Sequence, residues 1–208
     1  MPYQTVFYGA LPSDKIEEPT MTLLYELDEQ LRIGIDTGLI GGYYLTVGQW
    51  EIMENLQLVC LVMNNAVSDS QPEINWIKDA FINDINQIYP ERAEDIHFVA
   101  KFFSDQFAKT QINTHEDYKI SAAFAKIAMS DPKREGILYP SVRAGYEAMN
   151  IALPPNVVES KLRLNAVGVY HVEKKGSDVT FLPYAGTKDF GPCNSKFNWI
   201  LYSPSPQS

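Results

Sequence analysis

Between two β-rich blocks the chain carries a long stretch, residues 72–132, whose apolar side chains recur at the helical period. Ile74, Ile77, Phe81, Ile85 and Ile88 follow that period and stop before Pro90. Ile96, Ala100, Phe103 and Phe107 make a second stripe. Thr114 with Asp117 resembles a capping box in which Asp replaces the usual Glu, and Ile120, Phe124, Ile127 and Ala128 follow as the core face of a third helix. Such stripes form helices that bury one side and wet the other. A helical group set between strand blocks predicts an α+β fold rather than alternating βαβ units.

The first flanking block covers residues 3–70. Tyr3 to Tyr8 is rich in β-formers and ends at Gly9, which predicts a strand. Thr20 or Thr22 is placed to cap a helix through Leu23, Leu24, Leu27 and Leu31, with Glu26 and Glu29 off its apolar stripe. Gly41-Gly42 precedes a second strand, Tyr43–Val47. Leu56 to Met63 is a nearly unbroken apolar run of strand length, a pattern that fits burial on both faces. In the other block, Gly136–Tyr139, Asn150–Leu153 (cut by Pro154-Pro155), the alternation from Leu162 to His171, Val179–Leu182 and Phe197–Tyr202 are further strands.

At 208 residues, 45% hydrophobic and 21% charged, the chain is sized and composed for one folded domain, read here as 1–202 with the helical insertion at 72–132 and a flexible tail at 203–208. The net charge of −9 argues against direct nucleic-acid binding and against an anionic membrane surface, which both demand excess Lys and Arg. No signal peptide and no run of about 18 apolar residues is visible, so the expectation is a soluble cytoplasmic protein. Cys60, inside the apolar run, reads as a small buried hydrophobe; Cys193 reads as a loop thiol. His97, His115 and His171 have no ligand spacing, so no metal is expected. Phosphate-loop, dinucleotide-fingerprint, HExxH and GxSxG motifs are absent.

Two strings carry more chemistry. One is Asp117-Tyr118-Lys119-Ile120-Ser121-Ala122-Ala123-Phe124, followed by Gly136-Ile137-Leu138-Tyr139-Pro140-Ser141-Val142-Arg143. The other is Asn150-Ile151-Ala152-Leu153-Pro154-Pro155-Asn156-Val157-Val158, followed by Lys161-Leu162-Arg163-Leu164. In this order they resemble the C-terminal half of the RES domain, in its variants with a long helical insert. Val6–Ala10 and the segment carrying Glu26 resemble that family's earlier strand and its glutamate. The resemblance runs loosely over residues 3–172 and is sharpest at 117–164.

The resemblance implies a split mixed or antiparallel sheet similar to the ADP-ribosyltransferase fold, with NAD as substrate. It implies an NAD glycohydrolase or phosphorylase, or an ADP-ribosyltransferase, acting as the toxin of a toxin–antitoxin pair. Its partners would be a helix-turn-helix antitoxin and, for transfer, a protein acceptor. Ser141 matches the family serine and Glu26 the family glutamate as catalytic residues. Tyr8, Tyr139 and Arg143 are the candidates for binding NAD. The residue types suit the reaction: a carboxylate steadies the oxocarbenium character of the breaking sugar bond, aromatic rings stack on a planar base, and a guanidinium holds a pyrophosphate. The family arginine lies upstream of the strand that Val6–Ala10 resembles, whereas this chain's arginines are Arg32, Arg92, Arg134, Arg143 and Arg163. Three explanations stay open: a chain that begins late, a substitute in Arg143, or a non-catalytic binding module that has kept the fold.

Overall fold

Two four-stranded sheets organise the described residues. The computed structural model describes residues 5–16, 22–23, 43–71, 74–110, 115–175, 178–190 and 196–202. The fold is α+β, with one mixed and one antiparallel sheet. Contacts group the chain into two compact units, Met1–Glu26 with Asn55–Val158, and Leu27–Glu54 with Glu159–Ser208.

The first unit is built on strands β1 (Phe7–Ala10), β3 (Leu58–Cys60), β4 (Gly136–Pro140) and β5 (Met149–Leu153), in the order β1-β5-β4-β3. The pairings β1–β5 and β5–β4 are antiparallel, and β4–β3 is parallel. Between β3 and β4 lie helices α1 (Asn65–Ser70), α2 (Asn75–Ile88), α3 (Ala93–Phe107) and α4 (Lys119–Ala128). The long crossover that a parallel pair requires is thus the helical stretch itself.

Side chains alternate across a strand, so register assigns each residue to a face. Val59, Ile137, Tyr139, Asn150, Ala152, Tyr8 and Ala10 share one face. Val59, Ile137 and Tyr139 join Leu61 just past β3, Phe103 and Phe107 from α3, and Phe124, Ala125 and Ala128 from α4, in one apolar cluster. The opposite face, carrying Leu138, Met149, Leu58 and Cys60, packs with Val62, Val67, Ile74 and Ile77. Helices therefore cover both faces. This is why the Leu56–Met63 run is apolar at every position but Gln57, although only its middle residues form ladder.

Three expectations need correcting. Gly9 does not end the first strand; it pairs with Ile151 inside it. A Cβ there would lie 3.1 Å from the Phe7 ring and 3.3 Å from Ile151, so the missing side chain accommodates close packing rather than a turn. Helix α4 is rotated from its expected orientation: Ile127 is 71% exposed, and Ile120 is also exposed, while Ala125 and Ala128 are buried. Small alanines let the helix approach Ile137 closely. Ile88 also lies outside the core, at the exposed last turn of α2. The Thr20/Thr22 helix and the Thr114 cap lie largely outside the described residues.

The second unit contains β2 (Tyr43–Ile52), β6 (Leu162–Lys175), β7 (Asp178–Thr187) and β8 (Ile200–Leu201), antiparallel in that order. Val172 is buried, at 1% exposure. On the other face Tyr44 contacts the rings of His171 and Tyr184, each with centroids 5.0 Å away. Helix α5 (Pro155–Lys161), which the strand reading did not anticipate, leads directly into β6. Pro155 occupies its first position, where a proline loses no helical hydrogen bond.

Candidate active site

The strings that carry the resemblance become neighbours in space. Gly136–Pro140 is β4, Met149–Leu153 is β5, and the two pair with Tyr139 opposite Asn150. The ladder runs one step further, because the Ser141 N–H donates to the Ala148 carbonyl at 2.9 Å. By alternation Ser141 continues the face of Tyr139, and Asn150 is its diagonal neighbour across the pair.

Ser141 has no exposed surface. Its Oγ accepts the Ala144 N–H at 3.3 Å, and its carbonyl accepts the Tyr146 N–H at 3.0 Å. The serine therefore closes a tight turn immediately after β4. Two positions on, Arg143 is exposed on that turn. Tyr139 is half-buried, its ring centroid 5.6 Å from that of Phe107 at the end of α3. Its ring thus packs on the helical layer. Tyr8 lies opposite Ala152 on β1 and is 59% exposed; the partial burial of its phenol pushes its pKa up. Tyr8 and Tyr139 share a face with β5 between their strands; two strand spacings and an offset of two residues along the strands put them about 12 Å apart. Glu26 lies outside the described residues.

Structure adds residues that motif reading did not single out. Asn150 is the one polar residue of β5, a strand buried at all five positions, and is 4% exposed. A carboxamide there demands hydrogen bonding that an apolar side chain would not. The signal available in the sequence was a lone Asn in the apolar run Met149–Leu153. The turn holds a second feature: Gly145 and Tyr146 both adopt left-handed backbone, with φ of 60° and 65°. Only glycine does so without cost. Nothing in residue type alone marks Tyr146 for that conformation.

Among the described residues no three of His, Cys, Asp and Glu converge as a metal site. Nor is any helix there long and apolar enough to cross a membrane. The second unit carries an open depression of about 670 Å³ lined by Thr187, Lys188, Asp189, Phe197, Asn198, Trp199 and Ile200, none of them an expected site residue. No family model, no curated protein and no solved structure matches the chain.

Proposed function

We propose that this protein is a RES-type NAD-consuming enzyme that breaks the bond between nicotinamide and ribose. The observation that carries the reading is the pairing of β4 with β5. It makes neighbours of Tyr139, Ser141 and Asn150 from two separate strings of the resemblance, with Arg143 on the adjoining turn. In the reaction the carbon–nitrogen bond breaks and its electron pair leaves with the ring, so the cationic pyridinium becomes neutral nicotinamide. The sugar gains oxocarbenium character, which a carboxylate stabilises; Glu26 is the resemblance's choice for that task. Water, phosphate or a protein side chain then attacks the anomeric carbon. Arg143 is the cation for the pyrophosphate and Tyr8 the exposed ring for a base. The reading brings with it a cytoplasmic location and a helix-turn-helix antitoxin as partner.

Incubation of the purified chain with NAD, with and without phosphate, tests this reading. Released nicotinamide, lost in Ser141→Ala and Glu26→Ala, supports it. No release in buffer, phosphate or lysate overturns it. One observation favours a second reading, a binding module without turnover: the Ser141 hydroxyl is buried and holds the turn together. NAD binding with no nicotinamide released would establish that alternative.

A further inference from the structure

The turn that follows β4 is tied down more firmly than its place at the surface requires. Three consecutive carbonyls each accept a side-chain hydrogen bond from a distant part of the chain. Ser70 Oγ donates to Gly145 O at 3.4 Å, Gln71 Nε2 to Tyr146 O at 2.5 Å, and Ser13 Oγ to Glu147 O at 2.5 Å. The N–H groups of Ala144, Gly145, Tyr146 and Glu147 are satisfied within the turn, by Ser141 Oγ and by the carbonyls of Val142, Ser141 and Ala144. Tyr146 secures the other side: it packs against the cluster of Val62, Val67, Leu138 and Met149, and its hydroxyl donates to Ala108 O at 3.0 Å, just beyond α3.

These ties hold a backbone that would not otherwise persist. A tyrosine at φ 65° is in a sparsely populated conformation, retained where the surroundings over-determine it. A flexible surface loop could relax by placing Asn or Gly here. The glutamine that follows α1 and the tyrosine of the turn instead fix the backbone on which Arg143 stands. Fixing a binding group before the ligand arrives removes the ordering cost from the binding step.

We infer that Tyr146 and Gln71 are positioning residues that hold the Ser141–Glu147 turn so that Arg143 meets the pyrophosphate of NAD. The inference rests on the NAD reading above and adds the device that aims its cation. Neither residue touches the ligand; both act through Arg143.

The test is calorimetric titration of the full chain with NAD, in wild type, Tyr146→Phe, Gln71→Ala, Arg143→Ala and the double variant Tyr146→Phe/Arg143→Ala. Tyr146→Phe keeps the packed ring and deletes only the hydroxyl bond, so the chain stays folded by circular dichroism. Both Tyr146→Phe and Gln71→Ala are expected to weaken NAD by about tenfold, a typical consequence of losing one positioning hydrogen bond. Once Arg143 is gone, Tyr146→Phe should change the affinity by less than about twofold, because the two residues act as one unit. Wild-type binding with full affinity in both single variants, or with effects that add in the double variant, overturns the inference and leaves the NAD reading standing. No NAD binding by wild type overturns both.

Discussion

The Ser104 hydroxyl, with no exposed surface, accepts the Met63 backbone N–H at 3.1 Å and so joins α3 to the chain leaving β3. Ser104→Ala removes the acceptor and leaves a buried N–H without its partner. The expected cost is about 1–3 kcal/mol, the penalty of desolvating an unpaired amide. Urea unfolding should show a lower midpoint with an unchanged slope. An unchanged midpoint would mean that the bond contributes nothing to stability.

Two glycines in the first unit should respond to alanine for opposite reasons. At Gly136 a Cβ would lie 2.4 Å from Leu153 Cδ2 and 2.6 Å from the Ala152 carbonyl oxygen, and that backbone atom cannot swing away. Gly136→Ala should cost about 1–3 kcal/mol or more by overpacking. At Gly145 nothing lies within 4 Å of the added carbon, but φ is 60°. Gly145→Ala should cost about 1–2 kcal/mol from backbone conformation alone. The discriminating measurement is Gly145→Asn, since Asn tolerates left-handed backbone: it should recover part of the loss at 145, whereas no side chain is tolerated at 136.

The fold class was legible because its two signals are local: a helical period over 74–107 and strand-length runs at 136–140 and 149–153. Misreadings occurred where long-range packing decides. Gly9 resembles a stop until Ile151 is known to lie beside it. Pro154-Pro155 resembles an interruption, yet Pro155 starts a helix. Of the site, Tyr139, Ser141 and Arg143 could be selected from one contiguous string. Asn150 and Tyr146 could not be selected that way. Their distinction lies in cross-strand register and in a positive φ, properties of the folded backbone rather than of residue type.

Glu51 on β2 offers a pH test in the second unit. Its carboxylate accepts from Asn165 Nδ2 at 2.9 Å and from Arg163 at 2.5 Å. The Asn165 hydrogen bond, then the Arg163 hydrogen bond and charge, hold its pKa below the ordinary glutamate value. A depressed folded-state pKa gives stability that is present above the unfolded pKa and is lost as pH falls through the folded one. The pair is solvent-exposed, so the effect on unfolding is expected to be small. Carboxyl titration by NMR should find a midpoint below that of an ordinary glutamate, and Asn165→Ala and Arg163→Ala should each raise it. A midpoint unmoved by either substitution would contradict this account.

The rotation of α4 separates two accounts of its packing. Were the helical period the whole story, Ile120 and Ile127 would be core and their loss would be costly. In the structure Ile127 is 71% exposed, whereas Ala128 is 2% exposed against Leu61 and Ile137. Ile127→Gln should therefore change stability by less than about 0.5 kcal/mol, as surface substitutions usually do. Ala128→Leu forces three extra carbons into a filled cluster and should cost about 1–3 kcal/mol. Thermal unfolding of the two variants beside wild type decides between the accounts. A large loss in Ile127→Gln with little change in Ala128→Leu would mean that the isoleucines, not the alanines, face the sheet. The same rotation bears on the site, because Phe124 on α4 packs against Phe103 at 4.3 Å and Phe107 at 6.0 Å, and Phe107 in turn backs Tyr139. Ala128→Leu should accordingly shift the near-ultraviolet circular dichroism of this aromatic group, while Ile127→Gln should leave it unchanged.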